Sequence, residues 1–360
     1  MFYRIIIFLL VLSQVPLSGQ ENYRLRLLVW EGYAPKEEVT KFESYIYEKY
    51  KRTVTLEVSY ADEVDEMFSA IENKSADIIS PAHSYAKAEK YNFIQKGFVL
   101  PLNVDVISNF ESLIPALKNA DYLTHDWKLY AIPISHGPYG LIYNKDYFDV
   151  PPNSWNVLWD KQMKGKFSIS SDQYEANIYI TALAMGFSAT DFTNLRKIKS
   201  PEFISKLRVL KENCGSFWKG VDTPNDFKDK KIGTSWGDSR HGLKKLGQDW
   251  FFAEPKEGVT GWVDSLYIGH SLKDKTFTKR VAEEWLNFCI SKEFQKDVIL
   301  RGIGNDPVNL DIIDSITENE IKKHHLDNPS YFKEKRILWP ELSERNQNWY
   351  SHLWKNINDL

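Results

Sequence analysis

The sequence predicts an α/β protein built in two lobes. Three observations lead there. Residues 24–81 alternate strand, helix, strand, helix, strand, the signature of a parallel sheet with helices on its faces. The chain has 360 residues, 42% of them hydrophobic, enough to bury a large core but too long for one typical compact domain. Two extended stretches, residues 129–133 and 140–144, stand where the chain would leave a first lobe, and a further set of strands and helices follows them.

The elements read as follows. Arg24-Leu25-Arg26-Leu27-Leu28-Val29-Trp30 forms a first strand that becomes progressively buried. Pro35, with Glu37 and Glu38 behind it, opens a helix in which Val39, Phe42, Tyr45 and Ile46 recur at helical spacing. Residues 53–58 make a second strand, 64–71 a second helix, and 76–81 a third strand that ends at Pro81. Residues 155–159 follow Pro151-Pro152-Asn153-Ser154, a helix start. Residues 166–170 are a strand, and Ser171 or Asp172 is expected to cap a helix running to about Met185. Another helix covers 203–213, a short strand and turn 231–237, and a long amphipathic helix 277–290. Asp306-Pro307-Val308-Asn309 punctuates the chain before a charged, helical C-terminus carrying Trp339, Trp349 and Trp354.

Charge and targeting narrow the function. A net charge of -3 argues against a nucleic-acid partner, which would require a basic surface. Arg4, the apolar run Ile5-Ile6-Ile7-Phe8-Leu9-Leu10-Val11-Leu12, and the small and turn residues up to Gly19-Gln20 describe a cleaved secretory signal peptide over residues 1–19. The plainer alternative is an uncleaved anchor, but the apolar run is too short to span a bilayer. Cys214 and Cys289 either pair after export or sit as free core residues.

The candidate ligand residues come from spacing and side-chain chemistry. Trp262 and Asp264 lie two apart in an extended stretch, so they share a face. A ring face plus a carboxylate suits an organic cation. In a parallel sheet, ligands bind beyond the carboxyl ends of the strands. The loops Trp30-Glu31-Gly32-Tyr33 and Ala82-His83-Ser84-Tyr85 follow strands one and three, and should open onto one crevice. Asp172 and Glu175, three apart at a helix start, are expected to lie on one face and to repel unless a cation sits between them; the plainer reading is that both complement the helix dipole. Trp30, Trp236 and Trp262 stand on glycine-flanked loops and serve either as packing residues or as walls of a cation cage. Gly233-Thr234-Ser235-Trp236-Gly237 matches the nucleophile elbow of serine hydrolases, but Gly242 breaks the stretch where a long helix should follow. His83, His136 and the adjacent His324-His325 lack metal-ligand spacing.

Taken in order, Trp30-Glu31-Gly32-Tyr33-Ala34-Pro35, Asp77-Ile78-Ile79-Ser80-Pro81, Tyr130-Ala131-Ile132-Pro133, Ser171-Asp172-Gln173-Tyr174-Glu175, Ser235-Trp236-Gly237 and Gly261-Trp262-Val263-Asp264-Ser265 resemble the periplasmic spermidine/putrescine-binding proteins. The resemblance covers nearly all of the mature chain. It implies the type II-like, two-lobe periplasmic binding protein fold, with lobe one at 20–136 plus 263–309, lobe two at 137–262 plus 310–360, and the ligand clamped between them. It implies a polyamine ligand such as spermidine, putrescine or norspermidine. Trp30 and Tyr33 match contact positions, Asp172 and Glu175 the acid pair at an amine end, Trp236 a stacking position, and Trp262 with Asp264 the pair over the central amine. Glu31, Ser84 and Tyr85 stand near family contact positions but are displaced: Gly32 replaces an acid, Ala82 a serine and Ser84 a tyrosine. Asn305 replaces a tyrosine, and Pro340 stands for a glutamine. The implied partner is an inner-membrane ABC permease. In polyamine-sensing relatives it is a membrane receptor controlling cyclic-di-GMP and biofilm formation. The resemblance further implies a periplasmic monomer without enzyme activity, cofactor or metal.

Overall fold

The computed structural model describes residues 22–118, 120–328 and 330–359. The expected signal peptide and its cleavage site lie outside these residues.

Strand Asn22–Val29 buries Leu25, Leu27 and Val29 on one face, as period-two alternation requires. It pairs in parallel with Thr53–Tyr60 on one side and Ile78–Ile79 on the other. Helix Lys36–Tyr50 begins where Pro35 fixes an extended entry, carries Glu37 and Glu38 in its positive first turn, and buries Val39, Phe42 and Ile46. It stops at Lys51, whose φ of 54° is left-handed. The sheet order is Thr53–Tyr60, Asn22–Val29, Ile78–Ile79, Val259–Ile268, Ala131–Asn144, Ile232–Ser235, Phe167–Ser170, Ser216–Trp218. The outer strands on each side are parallel, and the two long central strands run antiparallel to each other and to the strands beside them.

Those central strands join two hydrophobic cores. Ile134 and Val263 belong to the first, which also holds Leu25, Trp285 and Phe294. Tyr139 belongs to the second, with Trp155, Tyr179 and Trp218. The chain therefore crosses between lobes along continuous strands. The two extended stretches expected at 129–133 and 140–144 are parts of this crossing, because Pro133, Gly137 and Pro138 do not interrupt the strand. Pro133 is tolerated opposite Ser265, where the register shifts by a bulge. Ile312, Leu326 and Phe332 pack in the first core, and the chain reaches the second at Ile337 and Trp339.

Other local expectations are corrected. Residues 155–159 form a 3-10 turn, not an α-helix start. The helix after 170 is Tyr174–Ala184, and neither Ser171 nor Asp172 caps it; Gln173 holds the cap position without a side-chain bond. Arg336–Leu338, inside the expected helical tail, is a strand parallel to Val259–Gly261. Both cysteines are free thiols, Cys289 in the first core and Cys214 against the second.

Trp285 is fully buried and meets Phe42, Phe288 and Phe294. Truncation in so dense a cluster leaves a cavity, so Trp285→Ala is expected to cost about 3–5 kcal/mol in urea unfolding. A loss under 1 kcal/mol would show that this cluster does not organise the first core.

Candidate ligand-binding site

The site grows from the central strand Val259–Ile268. Trp262 and Asp264 point to the face opposite Val263, whose side chain enters the first core. Asp264 is 7% exposed, and Tyr33 donates its hydroxyl to Oδ2 at 2.7 Å. The Trp30 side chain also hydrogen-bonds this carboxylate. Both aromatics arrive on the first loop, where Gly32 adopts a φ of 92° that other residues resist. The loop is tied down by Trp30 N–H donating to Ser80 Oγ at 2.9 Å. Burial pushes the Asp264 carboxyl up to about 7, despite the hydrogen bonds from Tyr33 and Trp30, which act the other way.

The second lobe brings Glu175 on the first turn of helix Tyr174–Ala184. Burial pushes this carboxyl up to about 7 as well. Its charge is felt by the hydroxyls of Tyr85, Tyr174, Tyr179 and Tyr350. Tyr85 feels both Glu175 and Asp264, so it stands in the field of both carboxylates. Among the described residues, no Lys, Arg or His forms an ion pair with either acid.

Asp172 has a different job. Its Oδ1 accepts from Ser170 Oγ at 2.5 Å and its Oδ2 from Gly220 N–H at 2.9 Å, which ties adjacent strand ends together. The expected side-by-side acid pair therefore divides into one tethering carboxylate and one without a countercharge. Glu31 is exposed and Ser84 half-buried, and neither joins the group around Asp264 through a hydrogen bond found among the described residues.

An aromatic wall links the two acids. Trp236 meets Tyr139 edge-on at 4.6 Å and lies 5.5 Å from Trp339. Trp339 in turn lies 5.9 Å from Tyr179, beside Glu175. The Trp339 carbonyl accepts from His83 Nε2 at 2.9 Å, while His83 Nδ1 accepts from Val263 N–H at 3.2 Å. Burial lowers the His83 pKa to about 4, so this imidazole is a neutral brace between the tail and the central strand. Trp262 lies over Gly137, where an added Cβ would come within 2.7 Å of its ring. Its indole N–H is buried with no partner among the described residues. Sequence reasoning missed Trp339, Tyr139 and Tyr179; no spacing rule connects residues so far apart in the chain.

Ser235 is not a nucleophile. It is fully buried, donates to Asp222 Oδ2 at 2.7 Å, and accepts from Gly237 N–H at 2.7 Å. Asp222 also receives Trp236 N–H and Ser239 N–H, so the apparent elbow is a turn pinned by one carboxylate. His270, which follows Ser235 in the chain, hydrogen-bonds the Ile71 carbonyl in the first lobe. No group of three or more potential metal ligands occurs among the described residues.

A cavity of about 850 Å³ lies beside the acids and not over them. Of the ten expected ligand residues, Trp236 alone lines it, together with Gly137, Pro138 and Asn305. The chemistry of a cation site resides in the closed acid-aromatic group, and the cavity adjoins it.

The raised carboxyls set a pH dependence. In the unfolded chain both ionise near about 4, and in the folded one near about 7. Between those values the folded state binds more protons, so stability falls as pH rises. The ligand-free protein is expected to show a lower urea midpoint at pH 7.5 than at pH 5, with a smaller difference in Asp264→Asn. Equal slopes in the two proteins would remove Asp264 from this account.

Comparisons with known proteins agree with this architecture. A family model described as bacterial extracellular solute-binding protein matches residues 39–326. The spermidine/putrescine-binding periplasmic protein of Escherichia coli is 26% identical over 298 residues, 80% of this chain and 79% of the relative; that of Salmonella typhimurium is 25% identical over the same length. Among solved structures, a spermidine/putrescine ABC transporter substrate-binding protein of Streptococcus pneumoniae superposes with a TM-score of 0.76 at 18% identity, covering 94% of this chain and 99% of the other. A spermidine/putrescine ABC transporter protein of Listeria monocytogenes gives 0.72 at 18% identity, with 93% and 98% covered.

Proposed function

Because the chain belongs to the bacterial extracellular solute-binding protein family, whose members bind solutes and are not enzymes, we propose that it is a periplasmic receptor for an elongated polyamine. One observation carries this reading: Asp264, buried, and Glu175, half-buried, one from each lobe, have no cationic partner among the described residues. An ionised carboxylate in that position is unfavourable unless a positive group reaches it. A ligand with ammonium groups separated by methylenes supplies two such groups at once. Trp30, Tyr85, Trp236 and Trp262 then serve as faces for the cations and the carbon chain, each cation contact contributing about 0.5–2 kcal/mol. The two lobes close on the ligand about the central strands Ala131–Asn144 and Val259–Ile268.

The relatives that carry spermidine/putrescine names favour spermidine-like ligands and delivery to an inner-membrane ABC permease. A monomer suffices, since both acids come from one chain. Asp264→Ala is expected to weaken spermidine binding by at least tenfold, about 1.4 kcal/mol or more, by titration calorimetry. A thermal-shift panel of putrescine, cadaverine, spermidine, norspermidine and spermine ranks the ligands, because one that binds only the folded state raises the melting temperature. Unchanged spermidine affinity in Asp264→Ala, or no shift with any amine, would overturn the reading.

A sensor that signals through a membrane receptor controlling cyclic-di-GMP would use the same cleft. Deleting the gene separates the two roles: transport predicts lower uptake of labelled spermidine. Normal uptake together with altered, amine-dependent biofilm formation would assign the receptor to signalling instead.

A further inference from the structure

We propose that the chamber beside the acid cluster is an oxyanion site that takes a carboxylate or phosphate group between the lobes. The inference goes beyond amine binding and does not require it. The chamber is large enough for a small organic molecule, at about 850 Å³. Its walls come from residues 236–254 of the second lobe, and from 300–306 and 322–336, which follow the first.

The charges facing this chamber are unevenly satisfied. Arg336 is 7% exposed; its Nη2 donates to Asp306 Oδ2 at 3.1 Å, and its guanidinium stands 5.8 Å from the Tyr331 ring. The Nε and Nη1 groups of the same guanidinium are buried with no partner among the described residues. Arg240 uses Nε on the Trp250 carbonyl at 3.2 Å and lies 4.9 Å from the Phe252 ring. Lys323, on the exposed rim, feels the positive charge of Arg240, and neither residue has an ion-pair partner among the described residues. Of the four acids that line the chamber, Asp306 and Glu254 are committed to partners and Asp238 and Asp249 have no ion-pair partner among the described residues. Asp306 receives His324 Nδ1 at 2.6 Å and Arg336, and His136 lies 3.5 Å away. Glu254 accepts from Tyr331 and faces His325. The carboxylates felt by Arg240 are Asp306 and Asp222, and Asp222 is filled by Ser235, Trp236 and Ser239. Two like charges held near one another, with a buried and partly unpaired guanidinium on the same wall, form the converse of the acid cluster.

The two regions touch. Trp236 belongs to both, and Asn305, which lines the chamber, hydrogen-bonds the Tyr33 hydroxyl that serves Asp264. The oxyanion therefore has two sources of the same chemistry: a free inorganic anion, or the anionic end of an amine ligand that passes between Trp236 and Asn305. Either would draw Arg240 of the second lobe towards Lys323 and Arg336.

The test is a thermal-shift titration of the full mature chain with sodium phosphate in the low millimolar range. Ionic strength is held constant with sodium chloride, so that general salt stabilisation is excluded. Parallel arms use γ-aminobutyrate and spermidine. A rise with phosphate alone that is at least tenfold weaker in Arg240→Gln/Lys323→Gln supports a free anion. A rise with γ-aminobutyrate but not with phosphate, lost in the same double variant, supports the anionic end of an amine. No rise with either compound, or one that the double variant retains, overturns the proposal. The exposed single variant Lys323→Gln repeats the comparison if the double variant does not fold. The spermidine arm is expected to be unchanged in both variants; its failure in the unaltered protein would count against the amine reading and leave the phosphate result to be judged separately.

Discussion

The structure depends on two carboxylates, the buried Asp264 and the half-buried Glu175, that form no ion pair among the described residues. Among the described residues, Asp264 has hydroxyl and indole donors, and the charge of Glu175 is felt by the phenols of Tyr85, Tyr174, Tyr179 and Tyr350. Elsewhere buried acids are satisfied in two ways: Asp77 is clasped by Arg26 through two nitrogens and Glu284 by Lys49 with two tyrosines, whereas Asp222 is filled by Ser235 and two backbone N–H groups. The fold can therefore build complete ion pairs where it needs them. Asp264 and Glu175, one from each lobe, have neither an ion pair nor the three-donor cradle that fills Asp222 among the described residues. Hydrogen bonds from Tyr33 and Trp30 offset part of the desolvation penalty of Asp264, but they carry no charge, so the larger share waits for a positive group.

How much of this was legible in the sequence follows from which geometry is local. Trp262 and Asp264 could be read together because strand side chains alternate, and the strand exists. Tyr33 and Trp30 could be read because they follow a strand of a parallel sheet. Asp172 and Glu175 failed as a pair for a definite reason: the rule for residues three apart holds inside a helix, and the helix begins at Tyr174. Asp172 lies before it, in a turn that uses its carboxylate. Trp339 was beyond reach because its neighbours Tyr139, Tyr179 and Trp236 come from three other elements. The continuous strand Ala131–Asn144 was hidden by Pro133, Gly137 and Pro138, which locally read as breakers.

Those same breakers explain how one strand can serve two lobes. The change from first to second core falls between Ile134 and Tyr139 on one strand, while Val263 on its partner still belongs to the first. In that interval Gly137 pairs with Trp262 and Pro138 with Gly261. Pro138 lacks a backbone donor, so the ladder there is thin in hydrogen bonds, and the two glycines let Trp262 and Arg336 lie directly on the backbone. A twist of one lobe against the other meets the least resistance at this point, while the strands remain continuous.

Trp262 is placed at that thin point, and Gly137 gives its ring the room to lie there. A ligand cation over this indole would touch the one segment whose twist changes as the lobes move. Binding and closure are then coupled by position, without a separate relay: the aromatic face, Asp264 two residues on, and the flexible stretch of the ladder are one continuous piece of backbone. Tyr139, five residues after Ile134, carries the change into Trp236 and Trp339, and through Tyr179 to Glu175. The acid in the second lobe is thus joined to the strand that bears the acid in the first through packed rings, which resist deformation and move as a body.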